Sequence, residues 1–575
     1  MTTLRNKQKW RPFFSGLGSL PGLLIFFLLI LYPLAALLLQ VGFPNVFNTP
    51  MSWKPSWQPL QQLFANPLNG QAIVNSLILG AGSAILATFL ATLVAFARVR
   101  GGKKMGKIID TAVWIVFFSP SYVIAQGWVS LMQEGGILSE WLNLPNGLTQ
   151  WFFSKEGLVV VMALRYIPFI YFALVPSIQN IGLEYEQAGR LLGANAGYRL
   201  RRITLPLLLP ALLAGASLAF AEGFGDFGMA AAITPQMHIP LITYQIYASL
   251  DQTPVNYPSA ASLSLILIVI MGLAFYLQFH FLKTRSFATI STHSKEQTEI
   301  RNHHRGFSLV AFFILFLAFF LPIGSTIIQS LLKNYVTHLD AHSWTLVHYK
   351  SLFKPGGSGL QALLRTLVYA LTNAFLTMIL GLFLAYQMMF RRSKINQFIN
   401  LLMIATIAVP GIVLAAGFIF AYNATWLIPL HFVIYGTPIC LGMAYLAGSL
   451  PYAVRLQIGS MQQVSGNLAT AAFSLGASNL RVIAQIVMPL VRTTTVSTFF
   501  MTMTGTMFEL PASSLLYPPG SPPFPETIQQ KFNAFEFARG SAMSILGLII
   551  VLLLYMLGRW VESMLLRSSN SVGVE

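Results

Sequence analysis

The chain has 575 residues, of which 55% are hydrophobic and only 9% charged, and its formal net charge is +18. A soluble globular chain carries roughly 25% charged residues, so this one cannot cover a water-facing surface of its own length, and lipid must solvate most of it. The positive charge does not indicate nucleic acid, because the 35 Lys and Arg fall in short clusters between apolar runs, where inner-leaflet loops hold them.

The N-terminus, MTTLRNKQKWRPFF, is basic and leads into an apolar run from Leu17 to Val41. That run exceeds the roughly 7–15 residues of a signal-peptide core, and no small-residue cleavage site is evident, so an uncleaved first helix is expected. About 20 apolar residues cross the roughly 30 Å hydrocarbon layer as a helix. Such runs are predicted at 17–41, 72–97, 109–131, 158–179, 207–232, 259–282, 307–332, 363–390, 398–421, 427–447, 490–512 and 541–562. The fold class expected is all-α, a polytopic membrane protein of about twelve transmembrane helices. With the N-terminus inside, the inner segments hold 26 of the 35 basic residues and the outer loops seven, while Arg165 and Arg365 fall in or beside spans. The asymmetry alternates loop by loop, which requires an even count with both termini cytoplasmic.

Two inner loops repeat one another. Gly193 of the first corresponds to Gly476 of the second, and the same offset joins Pro168 to Pro451, Ile203 to Ile486, Pro206 to Pro489, and Asp226 to Glu509. One offset holding five pairs without a gap implies two related six-span halves. Both halves have the same orientation, with a pathway between them as the natural hypothesis. The units expected are a tail, first helix and start of an outer loop (1–60), a first domain (61–282) with its inner loop 184–206, and a polar cytoplasmic linker (283–306). A seventh helix and outer loop follow (307–355), then a second domain (356–562) with its inner loop 467–489, and a tail (563–575).

Four ionisable residues near or inside spans are candidates for a pathway or gate, because a charge in the bilayer is costly. Asp226 and Glu509 occupy equivalent places, where helix capping or packing between domains is the alternative role. Glu222 precedes Asp226 by one turn and is expected on the same helix face. Arg165 lies inside the fourth span, and the equivalent region of the second half has Gly448, Pro451 and Tyr452 without an arginine. A structural partner or a substrate contact would each account for it. GGKKMGKI at Gly101–Ile108 has phosphate-loop spacing but ends in Ile108 instead of Ser or Thr and follows no strand, so it reads as a basic loop. The nine histidines have no metal-ligand spacing, and the single cysteine, Cys440, is expected as a small packing residue.

The paired loops resemble the EAA loop of ABC importer permeases, whose pattern is Glu-Ala-Ala, three residues, Gly, nine residues, Ile, one residue, Leu-Pro. Gly193, Ile203, Leu205 and Pro206 fit the first copy, and Gly476, Ile486 and Pro489 the second, with Met488 in place of leucine. The opening triplet departs from the pattern, reading Gln187-Ala188-Gly189 and Thr470-Ala471-Ala472. The resemblance implies two tandem six-helix, type I permease domains in a bacterial plasma membrane. It implies that these loops couple to two copies of an ABC ATPase subunit, which bind ATP and Mg, while this chain binds no cofactor. It also implies a substrate-binding protein at the outer face. EGFGDFG at Glu222–Gly228 and FELPASSLLYPPG at Phe508–Gly520 resemble iron(III)-type permeases, related to thiamine and phosphonate importers. An ion-coupled secondary transporter of twelve helices is the competing class, and it would show charged motifs in short inner loops instead of long paired ones. No paired carboxylates or nucleophile set supports an enzyme.

Overall fold

The computed structural model describes residues 20–571 apart from 48–49, 134, 138–144, 181–182, 284–304, 334–342, 355, 391–393, 463–467, 469–470 and 473. The cytoplasmic linker, with His303 and His304, thus lies almost wholly outside the described residues. Among the described residues the chain is helical, and extended pairing is limited to one isolated bridge, Leu332 to Trp344.

The helices of the first half that matter for the site are α1 (Pro21–Gly42), α2 (Pro67–Arg100), α3 (Lys103–Phe118), α4 (Ser121–Met132), α5 (Lys155–Gln179), α6 (Leu183–Leu191), α7 (Ala196–Gly225), α8 (Phe227–Met237) and α9 (Tyr257–Leu282). Those of the second half are α10 (Gly306–Ser330), α11 (Ser358–Met389), α12 (Lys394–Ile407), α13 (Gly411–Tyr422), α14 (Pro438–Met461), α15 (Ile483–Met507), α16 (Pro511–Leu516), α17 (Phe524–Asn533) and α18 (Phe537–Leu566). Ten of these are long and apolar enough to cross a bilayer alone, and two pairs, α3 with α4 and α12 with α13, qualify together while bent by 96° and 117°.

Each bent pair makes a full crossing. Helix α3 packs against the inner turns of α10 (Arg305–Leu315), and α4 packs against its outer turns (Leu321–Ser330). Likewise α12 touches the start of α1 and α13 touches its end. A chain that passes from one end of a spanning helix to the other has crossed with it. The bends follow from sequence. Pro120 and Pro410 immediately precede α4 and α13 in extended conformation, and a proline disfavours a helical residue before it.

The two halves share a core of three mutually packed helices, α2, α5 and α7 in the first and α11, α14 and α15 in the second. Small residues let the backbones approach, as membrane helices require. Gly80 lies against Phe224, Gly215 against the Ile170 backbone, and Gly223 against Tyr166 and Ser83.

Four π-helical turns recur at matched places: Phe27–Leu31, Leu200–Thr204, Phe316–Phe320 and Ile483–Val487. Each ends two residues before a proline, at Pro33, Pro206, Pro322 and Pro489. In every case the residue just before that proline donates its N–H to the carbonyl five back, as Tyr32 does to Phe27. Proline has no N–H to give and its ring crowds the carbonyl four residues earlier. Widening the preceding turn relieves that crowding while keeping the helix continuous.

The first helix of each half crosses to the other half. Tyr32 Oη donates to the Ala421 carbonyl at 2.7 Å and Tyr422 Oη to that of Leu28 at 2.7 Å, tying α1 to α13. Ser325 Oγ donates to the Gly127 carbonyl at 2.9 Å, and Ser130 Oγ to Gln329 Oε1 at 2.7 Å, tying α10 to α4. The close approach depends on two equivalent glycines. A Cβ on Gly127 would sit 2.3 Å from the Pro322 oxygen, and one on Gly417 would sit 2.9 Å from that of Pro33. Gly127→Ala is therefore expected to destabilise by about 1–3 kcal/mol through overpacking against backbone. Gly442→Ala, where an added Cβ meets nothing within 4 Å, is expected to be neutral or stabilising by up to about 1 kcal/mol. Thermal unfolding of both variants in lipid nanodiscs checks this, and equal midpoints would refute the close approach.

Three expected spans need correction. The tenth, placed at 427–447, is α14 at Pro438–Met461. The apolar run before it forms turns, with His431 at φ 51° and Gly436 at φ +76°. Arg455, assigned to an inner loop, consequently lies within α14. The fifth and eleventh spans end at Gly225 and Met507 instead of 232 and 512, each stopped at an acidic residue that starts a new helix.

Candidate functional site: two inner turns and a cavity between the halves

The inner turns are built alike from short-range hydrogen bonds. In the first, Gln187, Ala188 and Gly189 lie on α6, and Leu192 N–H donates to the Ala188 carbonyl at 3.1 Å and Ala194 N–H to that of Gly189 at 2.9 Å. In the second, Leu475 N–H donates to Ala471 at 3.1 Å and Ala477 N–H to Ala472 at 3.0 Å. These are the same bonds, displaced by the repeat offset. Thr470 lies outside the described residues. Gly193 and Gly476 adopt φ +79° and +82°, a left-handed conformation that costs other residues about 1–2 kcal/mol. That is why the repeat keeps glycine there.

Ile203 gives the spacing its physical sense. A Cβ on Gly189 would meet Ile203 Cδ1 at 3.0 Å, so the isoleucine folds back under α6 and the small residue makes room for it. Pro206 and Pro489 then fix the π turns at the base, with Ile486 packed against the core. The tips are apolar yet exposed: Leu191 is 89% exposed, Leu192 87% and Leu475 89%.

The second feature is a cavity of about 910 Å³ between the halves. All four helix breaks face it: the junctions α3/α4, α7/α8, α12/α13 and α15/α16. All four candidate pathway residues line it, namely Arg165, Glu222, Asp226 and Glu509.

The two equivalent carboxylates act as caps. Asp226 is the N-cap of α8, its Oδ1 accepting from Met229 N–H at 2.9 Å and from Ser121 Oγ at 2.7 Å, while Oδ2 accepts from Tyr166 Oη at 2.7 Å. It thus joins the α7/α8 break to the α3/α4 break. Glu509 accepts from the N–H groups of Ala512 at 3.1 Å and Ser513 at 3.3 Å, capping α16. At the place of Ser121 the second half has Gly411, and at the place of Tyr166 it has Ser449, so Glu509 takes backbone donors alone. Glu222 and Asp226 do not share a continuous helix face as expected, because α7 ends at Gly225 between them.

Arg165 and Glu222 stand apart. Among the described residues Glu222 has no hydrogen bond or ion pair, and Arg165 Nε and Nη1 are buried without a partner. At the repeat offset their counterparts are Gly448 and Gly505, which also line the cavity and where an added Cβ would meet nothing within 4 Å. The first half therefore brings a cation and a carboxylate to the cavity where the second half, at the equivalent positions, has glycines and open space. Sequence reasoning finds Gly448 but misses Gly505, Ser121, Tyr122 and Tyr166. Extending the offset from Glu222 reaches Gly505. No motif marks the hydroxyls.

Comparison with known proteins places this arrangement. The family profile of the binding-protein-dependent transport system inner membrane component matches residues 84–286 and again 377–568. The chain is 25% identical over 485 residues to the ferric transport system permease protein FbpB of Actinobacillus pleuropneumoniae, covering 82% of this chain and 67% of that one. It is 27% identical over 271 residues to the sulfate transport system permease protein CysT of Escherichia coli, covering 47% of this chain and 91% of that one. It is 31% identical over 209 residues to the molybdenum transport system permease protein ModB of Haemophilus influenzae, covering 35% and 87% respectively. Two matched copies, two equivalent inner turns and a cavity enclosed between them identify the chain as a member of the binding-protein-dependent transport system inner membrane component family, a fused two-copy importer permease that passes substrate toward the cytoplasm.

Proposed function

We propose that the two inner turns dock two subunits of an ABC ATPase and that the cavity between the halves is the route of the cargo. The observation that carries this is the pair of exposed leucine tips, each held by a left-handed glycine and by the same hydrogen bonds at the repeat offset. ATP-driven closure of the ATPase dimer would draw the turns together and tilt the two halves as rigid bodies. The four helix breaks around the cavity supply the joints. ATP and Mg belong to the ATPase. A substrate-binding protein delivers the cargo to the outer surface, where α17 is fixed across the halves by Gln529 Nε2 donating to the Ala231 carbonyl at 3.1 Å.

Ferric iron is the cargo we propose, since the relative named for ferric transport matches across both halves. The relatives named for sulfate and molybdenum match over about one half, which keeps oxyanions as the second reading.

The test is copurification from membranes with the endogenous ATPase. Gly193→Val with Gly476→Val places β-branched residues at two left-handed positions, at about 1–2 kcal/mol each. The recovered ATPase should fall about 10- to 100-fold while the permease itself remains monodisperse. Undiminished ATPase in that double variant would refute the docking assignment.

A further inference from the structure

Of the nine ionisable groups that line the cavity, four are already engaged. Asp226 takes three donors, Glu509 caps α16, Tyr166 donates to Asp226, and Tyr445 Oη bonds Ser513 Oγ at 2.7 Å. The ionisable groups left over are Arg165, Glu222, Arg455, Tyr452 and Tyr122, whose buried Oη has no partner. Four of those five can donate hydrogen bonds, and two are permanent cations, because a guanidinium does not lose its proton in a protein.

An unpaired guanidinium at membrane depth is costly and tends to be retained for function. Glu222 stands close enough to Arg165 to interact with it electrostatically, yet no ion pair forms. Arg165 thus keeps free donors while its charge is partly offset. The facing positions, Gly448 and Gly505, hold no side chain in the way. A bare multivalent cation in the cavity would meet two arginines, Arg165 from α5 and Arg455 from α14, and Glu222 as the one carboxylate not already engaged. An oxygen-bearing anion would find the donors it needs, since guanidinium groups bind oxyanions through strong charge-assisted hydrogen bonds.

We infer that Arg165 is a cargo-contact residue that receives an oxyanion face, with Glu222 weakening the hold so that the cargo is released. The inference rests on the importer reading and refines its cargo: iron would pass as an anion-ligated complex, and a free tetrahedral oxyanion would use the same contact. The asymmetry is part of the inference, because a cargo held from one wall can leave when the other wall moves.

The test uses the full chain in nanodiscs, with its copurified ATPase, and an arginine-specific dicarbonyl reagent mapped residue by residue by mass spectrometry. Probes are sodium molybdate, sodium sulfate and ferric citrate, with potassium citrate and choline chloride at matched ionic strength as controls. Modification of Arg165 should slow at least threefold with one or more probes and not with choline chloride, while exposed Arg539 reacts at an unchanged rate. Protection by molybdate or sulfate indicates a free oxyanion. Protection by ferric citrate beyond that by potassium citrate indicates ligated iron. Glu222→Gln should lower the half-protecting concentration severalfold, a change that a merely structural arginine would not show. Equal rates under all probes, an Arg165 that never reacts, or an unchanged half-protecting concentration in Glu222→Gln would each overturn the inference. Retained ATPase copurification in those same samples would leave the importer reading standing.

Discussion

Asp226→Ala is expected to destabilise the protein by about 3–5 kcal/mol, well beyond the loss of a helix cap. The substitution strands three donors at once: the Met229 N–H, the Ser121 hydroxyl and the buried Tyr166 hydroxyl. A cap alone is worth about 1 kcal/mol, and each buried donor left without an acceptor costs about 1–3 kcal/mol. The hydroxyls can turn toward other acceptors, so the full sum is not reached. Asp226→Asn keeps an acceptor for the cap and one hydroxyl and should cost about 1–2 kcal/mol. Glu509→Ala frees backbone donors only and should cost about 1–2 kcal/mol. Apparent melting points in nanodiscs, compared across the three variants, check the ranking. Equal losses for Asp226→Ala and Glu509→Ala would refute the argument that Asp226 binds two helix breaks together. The effect should extend to the cavity, because the junctions that Asp226 joins form part of its wall.

The caps show how far sequence alone reaches. The offset that pairs Asp226 with Glu509 also pairs Gly193 with Gly476, and the structure gives each pair one local geometry. A repeat is legible where both copies need the same backbone: a left-handed turn, a π turn before proline, an acidic residue at a break. It fades where the copies are spaced differently. The prolines of the bent spans, Pro120 and Pro410, stand at a wider offset, and so do the π turns of α1 and α10. A single offset cannot reveal them. The bends are unreadable for another reason, since an apolar run reports burial in lipid and not straightness. The run from Trp426 to Ile439 shows the same limit, being apolar enough for a span yet turned by His431 and Gly436. The crossing of α1 and α10 to the opposite halves is set by Gly127 and Gly417 meeting carbonyls of distant prolines, a pairing that no local pattern announces. The candidate residues are legible because a charge among apolar residues is conspicuous. Their partners are tyrosine and serine hydroxyls, which are not.

If the cavity is the route, filling it should stop transport without disturbing assembly. Gly448 and Gly505 allow that experiment because both line the cavity and an added Cβ at either meets nothing within 4 Å. Both are inside helices, α14 and α15, so replacing glycine removes conformational freedom from the unfolded chain and carries no backbone strain. Gly448→Phe with Gly505→Phe should therefore fold and retain its ATPase. Uptake of radiolabelled iron or molybdate, whichever the intact importer accumulates, should fall at least about tenfold, which corresponds to about 1.4 kcal/mol on the barrier. Gly442→Phe is the control: it lies on the same helix α14, also meets open space, and is not part of the cavity wall. Uptake should be unchanged there. Full uptake by an assembled Gly448→Phe, Gly505→Phe variant would place the cargo elsewhere in the molecule and remove Arg165 from its path. Loss of uptake in Gly442→Phe as well would show that added bulk on α14 acts through the helix and not through the space it occupies. The glycine pair thus separates the two walls of the cavity experimentally. Filling the two glycine positions tests the route, and altering Arg165 and Glu222 tests what the route selects.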